Sequence, residues 1–146
     1  MKTLEDTVEA LMRRNPQTIP SNAPVMEAFD VMQTGDMRHL PVMDGEAVVG
    51  IVSDRDLVES MPPPSLGVSF VDQGQYAMKP VSKVMSHCVH AVHVDEPAAA
   101  AAVMMLSTGV GAVPVIDGEG KLVGIITLAD IAAAFLRANP VVDRGP

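Results

Sequence analysis

The sequence has few aromatic side chains and a single cysteine. Its 146 residues include no Trp, one Tyr and three Phe. One cysteine excludes an intramolecular disulfide and is typical of a reducing compartment, so we expect a cytoplasmic protein. The sequence shows no secretory leader pattern and no apolar run of about 18 residues, so we expect neither export nor a membrane span.

Basic charge is also scarce. The chain carries 10 Lys and Arg against 18 Asp and Glu, which gives a formal net charge of −8. Because this charge repels phosphate backbones and no Lys/Arg run offsets it, we expect no nucleic-acid partner. Apolar residues make up 48% of the chain and charged residues 19%, a composition typical of a globular protein with a substantial core.

The sequence contains a block that occurs twice, in residues 36–57 and 110–131. The matches are Leu40-Pro41-Val42 with Val113-Pro114-Val115, Asp44-Gly45-Glu46 with Asp117-Gly118-Glu119, Gly50-Ile51-Val52-Ser53 with Gly124-Ile125-Ile126-Thr127, and Asp56 with Asp130. The offset is 114 − 41 = 73 before the predicted turn and 124 − 50 = 74 after it, so Gly120 or a neighbour is one extra turn residue. We interpret the repeat as two copies of a small α/β subdomain.

Each copy is predicted to fold as β-α-β-β-α. Asp44-Gly45 predicts a tight hairpin, and a helix is predicted from Thr3 to Met12, with Thr3 and Asp6 as a capping pair. Further helices are predicted from about Asp54 to Met61 and from Leu128 to about Ala138. Apolar residues at helical spacing predict one more helix in each copy, the first of them closed by Gly35. These residues are Val25, Ala28, Phe29 and Met32 in the first copy and Ala98, Ala101, Ala102 and Met105 in the second.

We assign the first subdomain to residues 1–61, a linker to 62–80 and the second subdomain to 81–146. Pro62-Pro63-Pro64 ends the first copy, and the polar, aperiodic stretch after it is interpreted as the linker, with Phe70 and Tyr76 anchored on the core. Each copy is too small to bury its own core. We therefore predict the α/β (α+β) class, with two pseudo-symmetric subdomains packed sheet to sheet.

The duplicated motifs P-V-x-D-G and G-I-[VI]-[ST]-x-x-D carry a resemblance to a known family. From Val8 to Leu136 the chain resembles a tandem pair of cystathionine-β-synthase (CBS) domains, the Bateman module. The resemblance implies a non-catalytic regulatory module, without a catalytic cofactor, that binds AMP, ADP, ATP or S-adenosylmethionine in a cleft between the copies. It also implies energy sensing on behalf of an unidentified partner protein.

The two hydroxyl-x-x-Asp motifs, Ser53 to Asp56 and Thr127 to Asp130, allow two interpretations. A hydroxyl at the N-cap and an acid three residues later form a capping box, which stabilises the helix and nothing more. The same helix start also offers N–H groups and a positive dipole end to a phosphate. The resemblance implies that each Asp holds a ribose, and with the duplication we favour ribose binding at both positions.

Arg38, His39 and Arg55 are predicted to contact phosphate, because a bidentate Arg suits phosphate oxygens. Their counterparts in the second copy, Gly111, Ala112 and Ala129, are uncharged. We therefore expect the first site to prefer phosphorylated nucleotides and the second to be weaker, empty or filled by an uncharged adenosyl group. The resemblance places the adenine against Met12, Gln17, Met37 and Pro41 in the first copy and against Met85, His90, Val110 and Pro114 in the second.

A cluster of His87, Cys88, His90 and His93 is the one group that suggests a metal. Alternation along an extended segment leaves two of these side chains on each face, and two ligands do not make a zinc site, so we expect no metal. The cysteine has no base that the sequence places beside it, and no Ser/His/Asp arrangement is evident. The sequence therefore predicts no enzymatic activity.

We expect a homodimer formed through the helices of both copies. The stripe of Ala98, Ala101 and Ala102 would allow another helix to approach closely. The methionines on or beside the equivalent helices are Met26, Met32, Met104 and Met105, and they would add apolar surface. The alternative function is a structural dimerisation module in which the Ser/Asp and Thr/Asp pairs only cap helices.

Overall fold

The chain folds into short strands rich in β-branched residues and helices whose apolar residues recur every three or four positions. The computed structural model describes residues 1–62, 70–87 and 90–141, with only the backbone for 70–73. In chain order the elements are α1 (Val8–Leu11), β1 (Arg13–Arg14), β2 (Ile19–Pro20), α2 (Val25–Gly35), β3 (His39–Asp44), β4 (Ala47–Ser53), α3 (Asp54–Glu59), α4 (Phe70–Met78), β5 (Ser86–His87), β6 (Val92–His93), α5 (Ala98–Thr108), β7 (Ala112–Ile116), β8 (Leu122–Thr127) and α6 (Leu128–Ala138).

The strands form two four-stranded sheets with the same topology. One sheet has the order β2-β3-β4-β5 and the other the order β6-β7-β8-β1. In each sheet the first pair is parallel, and the other two pairs are antiparallel. The predicted α+β class with two pseudo-symmetric halves is confirmed; packing of one sheet on the other stays a prediction.

The compact units exchange the opening segments of the two repeats. Residues 1–15 belong to one unit together with residues from 90 onward, and the residues from 16 to 89 form the other unit. We call the first the Asp130 unit and the second the Asp56 unit. The two-residue strand β1 pairs with β8, and β5 pairs with β4. The sequence division into 1–61 and 81–146 therefore follows the repeats, whereas each sheet takes its fourth strand from the opening of the other repeat.

Two glycines permit this exchange of strands. A Cβ on Gly50 would lie 2.6 Å from the carbonyl oxygen of Ser86 and 2.6 Å from the sulfur of Met85. A Cβ on Gly124 would lie 2.9 Å from the carbonyl oxygen of Arg13 and 2.6 Å from the sulfur of Met12. Because real Cβ atoms do not approach backbone oxygens so closely, the two sheets need a glycine at both places.

The apolar faces of helices α2 and α5 lie in the cores of their own units. Val25, Ala28 and Met32 are buried in the Asp56 unit, and Ala98, Ala101 and Met105 are buried in the Asp130 unit. The prediction that Ala98, Ala101, Met32 and Met105 line a dimer interface is therefore wrong, because each unit uses them to cover its own sheet. The large apolar residues of these helices that remain exposed are Met26, Val103 and Leu106.

The two hairpins differ by one residue, as the repeat offset indicates. Four residues, 44–47, lie between the paired residues Met43 and Val48, whereas five, 117–121, lie between Ile116 and Leu122. In the first hairpin Asp44 still pairs in the strand, so the two-residue loop begins at Gly45 and the predicted turn is shifted by one residue. In the second, the Lys121 N–H donates to Asp117 and lowers the pKa of that carboxyl below its ordinary value.

The predicted N-terminal helix is mostly absent. Only Val8–Leu11 is helical, and its N-cap is Thr7 and not Thr3. The backbone at the start of this turn pairs with the segment that leads into α5: the Asp6 carbonyl accepts from the Ala98 N–H at 2.9 Å, and the Val8 N–H donates to the Glu96 carbonyl at 2.8 Å. These tertiary hydrogen bonds flank Thr7, whose backbone is extended, and the helix begins only at Val8, so helix propensity does not decide where it begins.

Part of the predicted linker is helical. The nine residues of α4 lie inside 62–80, a stretch that was expected to be aperiodic. Tyr76 is buried in the core of the Asp56 unit as predicted, and its hydroxyl donates to the Leu57 carbonyl and bonds to Ser60 Oγ at 2.8 Å. These bonds tie α4 to the end of α3. Pro63, Pro64 and the Phe70 side chain lie outside the described residues.

Candidate functional site

Each of the two motifs forms a complete capping box. At the start of α3 the Ser53 N–H donates to Asp56 Oδ2 at 2.9 Å, and the Asp56 N–H donates to Ser53 Oγ at 3.0 Å. At the start of α6 the Thr127 N–H donates to Asp130 Oδ2 at 3.0 Å, and the Asp130 N–H donates to Thr127 Oγ1 at 3.1 Å. The capping role is therefore present in both units, and any ligand contact by either Asp would add to it.

The first-turn N–H groups of α3 are already hydrogen-bonded. The Asp54 N–H donates to the Arg38 carbonyl at 3.0 Å, the Arg55 N–H donates to Asp54 Oδ1 at 2.8 Å, and the Asp56 N–H donates to Ser53. Asp54 also adds a negative charge to the first turn of this helix. The expectation that this helix start offers unoccupied N–H groups to a phosphate is therefore wrong, and a phosphate here would depend on side chains.

The predicted phosphate contacts lie around that helix start. Arg38 and Arg55 are exposed, and His39 is partly exposed. His39 opens β3 opposite Ser53, the N-cap of α3, in the paired register. The structure thus brings Arg38, His39 and Arg55 to the same edge of the Asp56 unit as the capped carboxylate. Their counterparts Gly111, Ala112 and Ala129 hold the same positions beside α6, because the Leu128 N–H donates to the Gly111 carbonyl at 3.0 Å.

Two of the residues predicted to contact adenine do not stay with their own repeats. Met12 lies against Gly124 in the Asp130 unit, whereas Met85 lies against Gly50 in the Asp56 unit. The sequence grouped Met12 with Asp56 and Met85 with Asp130, and the strand exchange reverses this pairing. The other predicted contacts stay with the carboxylate of their own repeat: Gln17, Met37 and Pro41 in the Asp56 unit, and His90, Val110 and Pro114 in the Asp130 unit.

The structure adds a residue that the sequence did not indicate. Arg13, in β1, donates from Nε to Asp130 Oδ1 at 3.3 Å. In the other sheet the equivalent position is Ser86, because Arg13 pairs with Ile125 as Ser86 pairs with Ile51. The one available signal was the Arg13-Arg14 pair in an acidic chain. Its position beside Asp130 depends on the strand exchange, which no local pattern shows.

No group of three or more His, Cys, Asp or Glu in the described ranges could hold a metal ion. His87 lies in β5 and His93 in β6, strands that belong to different sheets. Cys88, the fourth member of the predicted cluster, lies outside the described residues. Among the described helices, none is long and apolar enough to cross a membrane.

The CBS domain model matches the sequence twice, at residues 8–62 and 81–137. These matches cover most of the chain and coincide with the two repeats. The chain belongs to the CBS domain family. Its resemblance to a tandem CBS pair is thereby confirmed at the level of sequence.

Curated relatives are proteins of different kinds. The chain is 28% identical over 136 residues to the L-aspartate semialdehyde sulfurtransferase of Methanocaldococcus jannaschii, which covers 92% of this chain but 24% of that enzyme. It is 29% identical over 132 residues to a CBS domain-containing protein of Dictyostelium discoideum, with 89% of this chain and 91% of the relative covered. The chain therefore spans only about a quarter of the enzyme and nearly all of the second relative.

Two solved structures of CBS pairs resemble this one closely. The CBS domain pair of protein MJ0100, in complex with 5′-methylthioadenosine and S-adenosyl-L-methionine, has a TM-score of 0.75 at 27% identity, with 92% of this chain and 98% of that chain covered. The protein CBSX2, in complex with AMP, has a TM-score of 0.71 at 27% identity, with 90% and 97% covered. The ligands bound to these two CBS pairs share an adenosyl group.

Proposed function

We propose that this chain is a non-catalytic regulatory module that binds an adenosine-containing ligand and signals to a partner protein. In this proposal Asp56 and Asp130 accept hydrogen bonds from ribose hydroxyls, and Arg38 and Arg55 contact phosphate. The observation that carries the proposal is the repeated site geometry: two capped carboxylates, one at the same sheet edge in each unit, in a fold whose solved relatives hold adenosyl ligands.

The carboxylates of the two capping boxes still have lone pairs that can accept hydrogen bonds from a ligand. A carboxylate offers about four lone pairs, and the capping box uses one of them, at Oδ2, in Asp56 and in Asp130. The cap also fixes the carboxylate in one orientation, so little rotamer entropy is lost when a diol binds. The vicinal hydroxyls of a ribose fit such a carboxylate, and the adenosyl ligands of the solved relatives support AMP, ADP, ATP or S-adenosylmethionine as the ligand class.

Thermal unfolding of the intact protein with a nucleotide panel tests this proposal. A ligand that binds only the folded state at one hundred times its Kd stabilises it by about 2.7 kcal/mol. We expect AMP or another adenosyl compound to raise the Tm, and guanosine monophosphate to leave it unchanged. If no adenosyl compound shifts the Tm at millimolar concentration, the regulatory proposal fails.

The rival function is a structural dimerisation module, and one observation favours a dimer. Val103 and Leu106 are 67% and 70% exposed on α5, one turn apart. At the equivalent positions 30 and 33 of α2, an offset of 73, the first repeat carries Asp30 and Gln33. The second repeat alone thus presents apolar residues there, and we propose that they contribute to a homodimer interface.

Light scattering tests the dimer separately from ligand binding. Val103→Asp with Leu106→Gln copies the α2 surface onto α5 and should lower the mass from dimer to monomer at micromolar concentration. The reciprocal pair Asp30→Val with Gln33→Leu is the matched control for altered helix stability. A monomeric mass for the wild type would refute the dimer, and the proposal of nucleotide binding would still stand.

A further inference from the structure

The Asp130 carboxylate is held at both of its oxygens. Oδ2 accepts from the Thr127 N–H at 3.0 Å, and Oδ1 accepts from Arg13 Nε at 3.3 Å. The Asp130 side chain is 13% exposed and that of Arg13 is 65% exposed, so a mostly buried acid is paired with a mostly exposed cation. Only Nε takes part in this ion pair, which leaves the two terminal nitrogens of the guanidinium as donors that can reach past the carboxylate.

Arg13 also changes the charge that a ligand would meet in the Asp130 unit. Without Arg13, an anionic ligand bound through its ribose would approach the negative charge of Asp130 alone. The three positions that are basic in the other unit (Arg38, His39 and Arg55) are uncharged here, namely Gly111, Ala112 and Ala129. Leu128 stands where Asp54 lies in α3, so this helix start also lacks the second acid. With Arg13 in place the local charge is close to zero.

We propose that Arg13 is a specificity-determining residue that makes the Asp130 unit select an anionic adenosyl ligand, a nucleoside phosphate, over a neutral or cationic one. The inference rests on the proposed function, in which Asp130 holds a ribose. It differs from the expectation from sequence that this site is weaker, empty or filled by an uncharged adenosyl group. The reason for the difference is that the cation comes from β1, at the other end of the chain, and not from the second repeat.

The expected size of the effect follows from charge and distance. A nucleotide phosphate carries a charge of about −1.5 to −2 at neutral pH. A single positive charge about 6 Å away in water should change its affinity by roughly three- to tenfold, with the lower figure at physiological salt. Adenosine is uncharged and should change little, whereas S-adenosylmethionine carries a net positive charge and should respond in the opposite direction.

Calorimetry on the full chain tests the proposal in an Asp56→Asn background, which confines the measurement to the Asp130 unit. AMP, adenosine and S-adenosylmethionine are titrated with and without Arg13→Ser, the residue that the other sheet has at this position. We expect the preference for AMP over adenosine to fall about three- to tenfold, and S-adenosylmethionine to bind slightly more tightly. The AMP affinity should also depend less steeply on salt after the substitution.

Two variants serve as matched controls. Arg14→Ser removes the same formal charge one residue along the strand, where Arg14 pairs with Glu9 at 3.2 Å and not with Asp130, and it should leave the preference near its starting value. Ser86→Arg, in an otherwise wild-type chain, places the guanidinium in the other sheet and should raise the AMP preference of the Asp56 unit. Thermal melts of each variant report folding independently.

The outcomes separate this inference from the proposed function. An unchanged AMP-to-adenosine preference in Arg13→Ser, or a preference that rises, overturns the role of Arg13 while adenosyl binding stands. An equal gain for all three ligands would show that Arg13 only competes with the ribose for Asp130, and it would also overturn the proposal. If the folded Asp56→Asn protein binds none of the three, the role of Asp130 in ligand binding fails together with this inference.

Discussion

The Asp56 and Asp130 units share one topology and one capping device, yet they carry different charges at the same positions. In the Asp56 unit the cations, Arg38 and Arg55, are local to the repeat, and Asp54 adds a second acid at the helix start. In the Asp130 unit these positions are uncharged, and Arg13, the cation that pairs with the carboxylate among the described residues, comes from a strand at the beginning of the chain. Both units thus have the same capping box, whereas the charged residues that would contact a ligand differ between them.

The largest effect should come from breaking the strand exchange that both units share. Gly50→Ala and Gly124→Ala each push a methyl group against a backbone carbonyl and a methionine. Overpacking of this kind costs about 1–3 kcal/mol, and we expect each variant to lose that much stability in urea unfolding. Gly118→Ala is the control, because a Cβ there meets nothing within 4 Å. Wild-type stability in both variants would mean that Met85 and Ser86 do not pack closely on Gly50, nor Met12 and Arg13 on Gly124.

A smaller effect should distinguish the two capping boxes. Asp56→Ala and Asp130→Ala each remove a cap, which costs about 1 kcal/mol. Asp130→Ala also removes the ion pair with Arg13, and an exposed pair of this kind contributes about 0.2–1 kcal/mol. We therefore expect chemical denaturation to show Asp130→Ala as slightly the less stable. The reverse order would show that Arg13 contributes nothing to folding.

The smallest effect concerns the exposed arginines of the Asp56 unit. Arg38→Ala with Arg55→Ala should weaken AMP by several-fold and adenosine hardly at all, and it should flatten the salt dependence of AMP binding. Fluorescence or calorimetric titration at two salt concentrations measures both quantities. Arg137→Ala, on the last turn of α6, is a control for net charge. Equal losses for AMP and adenosine would show that the two arginines do not contact the phosphate.

Local patterns predicted those parts of the fold that local forces determine. The final helix begins at Leu128 and ends at Ala138 as predicted, because Thr127 and Asp130 cap it and Asn139-Pro140 follows it. The hairpin was misplaced by one residue because Asp44 pairs with Ala47 and leaves Gly45 to take the positive φ. Likewise α2 ends at Gly35, but it is Asp36 that adopts the left-handed conformation; in α5 a glycine, Gly109, does so.

What the sequence did not predict depends on contacts between distant segments. The first residues have a helical pattern, but backbone bonds from Asp6 and Val8 to the segment that leads into α5 accompany an extended Thr7, and the helix begins only at Val8. The same exchange moves Met12 into the Asp130 unit and brings Arg13 to the carboxylate. The alanine stripe of α5 has the composition of a helix–helix interface, but whether such a stripe faces a partner or its own sheet depends on tertiary packing. Each of these errors has one physical cause: the partner segment is far away in the chain.

The central claim is that Asp56 and Asp130 bind ligand in addition to capping their helices. The most direct test is calorimetric titration of AMP into the wild type, Asp56→Ala and Asp130→Ala, each shown by its melting curve to be folded at the working temperature. We predict that each substitution lowers AMP affinity at its own unit by at least about tenfold, a change of about 1.4 kcal/mol that a folded protein with a merely weakened cap would not show. Wild-type AMP affinity in both variants would contradict the claim and leave the two carboxylates as helix caps alone.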